Sequence, residues 1–287
     1  MNIKQIEKIL LEGSFKPQIE LNEAKIEAKM LVKHFLSLSD KDSILNPEFE
    51  AKQEDLEKLL EAAKLRAETR IPIQHIIGLA HFMGEDFIVN ENVLIPRDET
   101  EILVRRAIEI ITKNDFKKIL DIGTGSGCIA CMIAKLTSAQ VLGVDISTSA
   151  LQTALENSSK MGLYNKAIFR KSDLFSNVDV KRNGDEKFDL IISNPPYIPI
   201  KEESTLQKEV QFEPKSALFA QDIDGIEFYE KITTKAPEFL NEGGYLMFEL
   251  GIGQAELVQS LMKKNKFKNI KIEKDLAGIE RIIFGGI

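Results

Sequence analysis

Residues 189–199 read DLIISNPPYIP. The run Leu190-Ile191-Ile192 has the length and composition of a buried strand in a parallel sheet, and it leads into Ser193, Asn194, two prolines and Tyr197. Asn194 to Tyr197 contain no acid, base or nucleophile, so proton abstraction and covalent catalysis are poor matches. Holding a planar NH2 group is a good one. Such a group has two donors, and the Asn194 side-chain oxygen and the Pro195 carbonyl can accept both. Pro195 and Pro196 each fix their own φ and keep the preceding residue extended, which aims both carbonyls before a ligand arrives. Tyr197 can lay its ring against a flat amide or base. These residues predict a substrate clasp of Asn194, Pro195, Pro196 and Tyr197, with Asn194, Pro195 and Tyr197 nearest the reacting group. The bland alternative is a loop that simply ends a strand.

A second motif gives the clasp a setting. DIGTGSG, residues 121–127, follows an apolar strand and opens a helix. Its glycines allow a tight turn and close approach of a ligand, and the helix start offers unpaired amides. Asp145 stands 18 residues beyond Gly127, at the end of the next strand, where an acid can accept both hydroxyls of a ribose. The spacing is G-x-G-x-G after Asp121, not the G-x-G-x-x-G of dinucleotide loops. SDLF follows the third strand, so that Asp173 and Leu174 can embrace adenine. Together these features favour S-adenosylmethionine over NAD. The expected cofactor set is Asp121, Gly123, Thr124, Gly125, Ser126, Gly127, Asp145, Asp173, Leu174 and Asn194, although Gly127 could serve helix packing instead. The reaction would be methyl transfer to nitrogen, leaving S-adenosylhomocysteine.

The elements that position these motifs divide the chain in three. Residues 1–72 carry helical signals: Ala28, Leu31, Val32 and Phe35 share one face, as do Leu56, Leu59, Leu60 and Ala63. Residues 73–95 are rich in β-branched and aromatic residues punctuated by Gly78, Gly84 and Asn90-Glu91-Asn92, which predicts a β-hairpin linker. Residues 96–287 form the third part. From residue 115 strands and helices alternate: KKILDIG, a helix over 126–136, QVLGVDI, a helix over 149–161, KAIFRKSD, FDLIIS, GGYLMFEL and a last pair near 268–274 and 279–285. The fold class is therefore α/β, a Rossmann-like and mostly parallel sheet with helices on both faces, behind a small all-α domain.

The chain has 287 residues, 43% hydrophobic and 29% charged, with a net charge of −7. An acidic balance argues against a broad nucleic-acid surface, so the partner is expected to be a protein or small molecule. MNIKQIEKILLEGSF interrupts any apolar run with charges, and no stretch reaches the length of a membrane span, which predicts a soluble cytoplasmic protein. Cys128 and Cys131 have C-x-x-C spacing on the helix after the glycine loop, with no second pair to complete a zinc site. They read as core residues. With His34, His75 and His81 scattered, no metal site is expected.

The whole pattern resembles the protein-(glutamine-N5) methyltransferases of the PrmC/HemK type, which methylate the glutamine of the Gly-Gly-Gln motif in class I peptide chain release factors. The resemblance runs through RIPIQHIIGLAHFMGEDFIV, VLIPRDETE, LDIGTGSG, SNPPYIP, FEPKSALFAQDIDG and DLAGIERII. It implies a seven-stranded methyltransferase domain behind a helical domain that helps hold the release factor, with no stable nucleic-acid or membrane partner. It further implies that Arg97, Glu99 and Thr100 lie near the methionine end of the cofactor, that Leu174 borders adenine, and that Asn194 to Tyr197 clasp the substrate glutamine. Asp98 stands where the family usually has proline, which is expected to loosen that turn. The alternatives are methylation of a ribosomal-protein glutamine, an adenine-specific nucleic acid methyltransferase, and a nonenzymatic cofactor-binding adaptor. NPPY alone is shared with DNA adenine methyltransferases, but the large basic region that phosphate binding needs is missing.

Overall fold

The computed structural model describes residues 21–38, 51–178 and 187–287, together with Gln5, Lys8, Leu11, Glu12, Ile19 and Phe49. The rest of the N-terminal stretch considered above for a leader lies outside the described residues. The chain forms two compact units, residues 1–78 with 207–212, and residues 79–206 with 213–287.

In the first unit, helices α1 (Leu21–Phe35), α2 (Gln53–Thr69) and α3 (Ile73–Ile77) share one apolar cluster built on Leu31, Val32, Leu59, Ala63 and Ile73. The α3 segment corrects the sequence expectation, which placed residues 73–77 in the hairpin. Its isoleucines favour strand geometry in isolation, but Ile73, Ile76 and Ile77 pack on the α1–α2 core, and Gly78 closes the turn in the left-handed region at φ 75°. Packing overrides the local preference.

Inside this unit the Arg66 guanidinium is almost fully buried, 1% exposed. Its Nε donates to both Glu27 oxygens at 3.0 and 2.9 Å, Nη2 donates to Glu23 at 3.0 Å and to Glu27 at 2.8 Å, and Nη1 donates to Glu209 at 2.9 Å. Glu209 comes from the 3₁₀ turn Lys208–Phe212, so one planar fork binds two helices and a distant segment into a single body. Burial raises the Glu27 carboxyl above its ordinary pKa, against the lowering by Arg66. Arg66→Ala should therefore cost about 3–5 kcal/mol by leaving a buried carboxylate unpaired. Because the stranded Glu27 binds a proton more readily in the folded state, the deficit should shrink as the pH falls from about 8 to about 5. Urea midpoints across that range measure both effects.

The second unit starts with the antiparallel hairpin β1 (Leu79–Phe82) and β2 (Glu85–Ile88), followed by α4 (Asp98–Asn114). A seven-stranded sheet comes next, built from β3 (Lys118–Ile122), β4 (Gln140–Asp145), β5 (Ala167–Lys171), β6 (Phe188–Ser193), β9 (Leu240–Glu249), β10 (Lys268–Lys274) and β11 (Glu280–Gly286) in the spatial order β10-β11-β9-β6-β3-β4-β5. The short β7 (Ile198–Pro199) and β8 (Phe219–Ala220) pair separately. Helices α5 (Cys128–Leu136), α6 (Thr148–Lys160), α7 (Lys215–Leu218), α8 (Glu227–Phe239) and α9 (Ala255–Lys264) complete the unit. Strands β3 to β6 and β9 run parallel; β11 is antiparallel to both neighbours.

The two faces of the sheet explain the unbroken apolar strands. Leu190 and Ile192 enter one core with α4 and α5, while Ile191 enters the other with α8 and α9. Met247 and Phe248 divide in the same way. A strand buried on both sides has no polar position to spare. Cys128 and Cys131 belong to the first of these cores as free thiols; burial pushes Cys128 up to about 12 and Cys131 higher, so both stay protonated. Among the described residues no helix is long and apolar enough to cross a membrane.

Candidate active site

The sheet changes its winding direction at β3: the chain steps outward to β4 and β5, then returns to place β6 on the other side of β3. Ligands bind outside the carboxyl ends of strands at such a point. Register brings the two motifs level there. Ile122 of β3 pairs with Val144 of β4 and with Ser193 of β6, so Gly123, Asp145 and Asn194 each follow directly from aligned residues. A cavity of about 410 Å³ opens at this level, within the range of small-molecule sites.

Eight of the residues expected from sequence line it: Gly123, Gly125, Asp145, Asp173, Leu174, Asn194, Pro195 and Pro196. The Gly123 and Thr124 amides donate to the Val144 carbonyl, at 2.9 and 3.0 Å, which folds the loop back over β4. The Gly125 amide donates to Asp145 Oδ2 at 2.9 Å, and the Ser147 amide to Oδ1 at 2.9 Å. Backbone amides thus engage both carboxylate oxygens, which have further lone pairs for a ligand hydroxyl. Burial raises the Asp145 pKa, while the backbone donors from Ser147 and Gly125 lower it. Leu174 sits at φ 48°, held by a hydrogen bond from Ser172 Oγ to its carbonyl at 2.8 Å, and this tight loop presents it to the cavity beside Asp173.

Other expected residues stand behind the cavity wall. Asp121 is fully buried and accepts from Thr124 Oγ1 at 2.6 Å. Burial and the nearby Asp145 charge push Asp121 up to about 7, against the donated Thr124 hydrogen bond. The Ser126 carbonyl is held by Asn157 Nδ2 at 2.9 Å, and the same asparagine exchanges two hydrogen bonds with the Ile88 backbone, so the hairpin and the glycine loop share one anchor. Tyr197 is half-buried, with its carbonyl held by Gln254 Nε2 at 2.9 Å. Its ring packs on the apolar cluster between the sheet and α8–α9.

The segment containing Arg97, Glu99 and Thr100 is knit to two distant stretches instead of lining the cavity. Arg97 forms an ion pair with buried Glu213, which also accepts from the Ile95 amide at 3.2 Å. Glu99 faces Arg281 at 3.3 Å, and Arg281 reaches Asp275 at 2.8 Å. Thr100 is buried between Glu249 and Asn194: its hydroxyl donates to Glu249 Oε2 at 2.6 Å and accepts from Asn194 Nδ2 at 3.2 Å. Asp98 begins α4 as its first residue. That position suits proline, but it equally suits an acid facing the helix N-terminus, so the departure leaves the helix start intact.

Sequence reasoning missed the rest of the wall. Lys215, Ser216 and Ala217 line the cavity from α7, and Phe228 and Ile232 line it from α8. The second pair lies four residues apart on one helical face, a spacing that marks a buried stripe but names no ligand. Glu249 was also missed. Its only signal is an acid at the end of the otherwise apolar strand GGYLMFEL.

A family model described as a methyltransferase domain matches residues 113–282, and one described as the PrmC N-terminal domain matches residues 17–78. The release factor glutamine methyltransferase of Geobacter sulfurreducens is 40% identical over 266 residues, covering 92% of this chain and 90% of that protein. The protein of the same name from Fusobacterium nucleatum is 43% identical over 237 residues; the match takes in 82% of this chain and 65% of the longer relative. Among solved structures, the hMettl16 catalytic domain shares the fold with a TM-score of 0.56 at 14% identity, covering 82% of both chains.

The glycines of the loop divide by environment. A Cβ on Gly127, at φ 79°, would meet the Ala154 Cβ at 2.9 Å and the Phe169 ring at 3.3 Å, whereas one on Gly123, at φ 72°, would meet nothing within 4 Å. Gly127 is thus held by packing, as the structural alternative in the sequence had it. Gly127→Ala should destabilise the fold by about 2–4 kcal/mol, and Gly123→Ala by about 1 kcal/mol. Thermal or urea unfolding without ligand measures the contrast; equal losses would contradict the division.

Proposed function

This chain belongs to the release factor glutamine methyltransferase family, and we propose that it methylates the side-chain nitrogen of the glutamine in the Gly-Gly-Gln motif of class I peptide chain release factors. It is an S-adenosylmethionine-dependent protein-glutamine methyltransferase. The observation that carries the proposal is the orientation of Asn194: its Nδ2 is committed to Thr100, so its Oδ1 is left to accept, in the same cavity as Gly125 and Asp145.

The residues present fit the cofactor. Asp145 would accept from the ribose hydroxyls, Asp173 and Leu174 would border the adenine, and Gly123 would let the backbone approach closely; all four line the cavity. When bound, S-adenosylmethionine supplies an already activated sulfonium methyl. What the chain adds is position. The Asn194 Oδ1 and the Pro195 carbonyl accept the two N–H bonds of the glutamine amide, and the prolines keep both oxygens aimed. Alignment of this kind contributes roughly 7–11 kcal/mol toward a barrier. As positive charge develops on the nitrogen, the same oxygens stabilise it, neither proline provides an amide donor to compete, and the surplus proton leaves to solvent after transfer. No charged residue is required in contact with the acceptor.

Two substitutions should separate the roles. Asn194→Ala should retain cofactor affinity and lose transfer by roughly 10²–10³-fold, since one of the two acceptors is gone. Asp145→Ala should weaken cofactor binding by about tenfold to hundredfold through the lost hydroxyl contacts. Calorimetry with S-adenosylmethionine and transfer of a labelled methyl group read the two effects; a swapped pattern would exchange the roles.

The acceptor itself is tested by offering labelled cofactor with a release factor, its Gly-Gly-Glu variant, ribosomal proteins and duplex DNA. Label should enter the release factor alone. The Gly-Gly-Glu variant should be rejected by roughly 10⁴-fold, because a carboxylate would face two lone-pair oxygens. Preferential labelling of a ribosomal protein or DNA would displace the proposal.

A further inference from the structure

Glu249 takes no part in the transfer as described, yet the sheet places it beside the clasp. Ser193 of β6 pairs with Phe248 of β9, so Asn194 and Glu249 are the next residues on neighbouring strands. The Glu249 side chain is 2% exposed, where a carboxylate persists only with partners. Its partners are the Thr100 hydroxyl at 2.6 Å, which in turn accepts from Asn194 Nδ2 at 3.2 Å, and the Asn194 side chain itself.

The order of donors in this chain is forced from its far end. An ionised carboxylate has no proton to give, so the single Thr100 proton points toward Glu249. Toward Asn194 the Thr100 oxygen can then only accept, and it must meet NH2 rather than carbonyl. An asparagine amide has two ends of nearly equal size and can be turned over at little steric cost. Turned over, it would set its oxygen against the Thr100 lone pair and direct NH2 into the cavity, donor against donor with the acceptor amide.

We infer that Glu249 and Thr100 are positioning residues: the carboxylate, through the threonine hydroxyl and through its own contact with the Asn194 side chain, fixes the Asn194 amide with its oxygen toward the acceptor NH2. The inference rests on the glutamine-methylation proposal, because only an NH2 acceptor demands an oxygen at that place. A neutral Glu249 would reverse the chain. It could donate to Thr100, whose own proton would then turn toward Asn194 and favour the flipped amide.

Burial pushes Glu249 up to about 7, opposed by the Thr100 hydrogen bond; the Glu99 charge raises it further, while Arg281 and Asn194 lower it. The other ionisable groups around it are Tyr197 from the loop after β6, Tyr229 from α8 and Cys128 from α5. Burial raises all three, so they stay neutral; the charged groups nearby are the Arg281–Glu99 pair at 3.3 Å, with Arg97 acting on Tyr197 and Asp121 on Cys128.

The test uses the full-length protein with Glu249→Gln, Thr100→Val and Thr100→Ser. An acceptor-independent readout is the side-chain ¹⁵N resonance of Asn194, assigned by its loss in Asn194→Ala. In the unsubstituted protein it should shift with pH around a midpoint near 7, and in Glu249→Gln it should stay flat. Single-turnover methylation of a release factor should slow as the pH falls through the same midpoint. Glu249→Gln should lose that limb. Thr100→Val should lower the transfer rate by about tenfold to hundredfold with cofactor Kd and acceptor KM nearly unchanged, and Thr100→Ser should restore it. The retained Kd also reports that each variant is folded. An Asn194 resonance that ignores both pH and Glu249→Gln, or a Thr100→Val enzyme at full rate, overturns the inference. If the unsubstituted enzyme labels no release factor while the resonance behaves as expected, the acceptor assignment falls and the positioning chain stands.

Discussion

The parallel strands β3, β4, β6 and β9 end at one level, and the chemistry of this molecule depends on that alignment. Ile122, Val144, Ser193 and Phe248 are linked by register across four strands, and the next residues are Gly123, Asp145, Asn194 and Glu249. The first turns the backbone, the second is an acid with spare lone pairs, the third is a neutral amide and the fourth is a buried acid. They lie far apart along the chain. A shift of one position in any strand would exchange the face to which its side chains point, so the apolar pattern that builds the two cores also fixes the order of the site.

The same alignment explains why segments with no motif of their own belong to the site. The start of α4 is tied to the segment leading into α7 through Arg97 and Glu213, and to β11 through Glu99 and Arg281. Its next residue, Thr100, reaches inward to Glu249 and Asn194. Polar contacts from three residues at one helix start therefore brace the cavity wall, the last strand and Asn194. Their chemistry is structural at the first two and directional at the third.

Most of the architecture was legible because burial on two faces leaves a plain mark: FDLIIS and GGYLMFEL are apolar without alternation, and glycine or proline punctuates their ends. That the glycine loop and Asn194 to Pro196 open on one cavity was legible because each motif stands at the end of an apolar strand. Ile73–Ile77 was not, since three isoleucines in five residues look like a strand until a helical core is there to receive them. Glu249 and Thr100 escaped for a different reason. Their relation to Asn194 is set by strand register and by a helix start, and neither distance is encoded in local spacing. Gly127 could not be assigned from its motif, because packing against Ala154 and Phe169 and proximity to a ligand leave the same residue type.

A carboxylate held one residue behind the clasp does something that a carboxylate within it could not. In contact with the acceptor, a full negative charge would hold an NH2 group, but it would attract an ammonium or guanidinium more strongly, so lysine and arginine side chains would compete for the site. It would also repel any anionic part of the partner. Placed behind a threonine hydroxyl, the charge is spent on direction: it orders one proton, which orders one amide, and the cavity sees only the neutral oxygen of Asn194. The acceptor is then chosen by the number and placement of its hydrogens, and a group with two donors and no charge satisfies the clasp without leaving a lone pair unmatched.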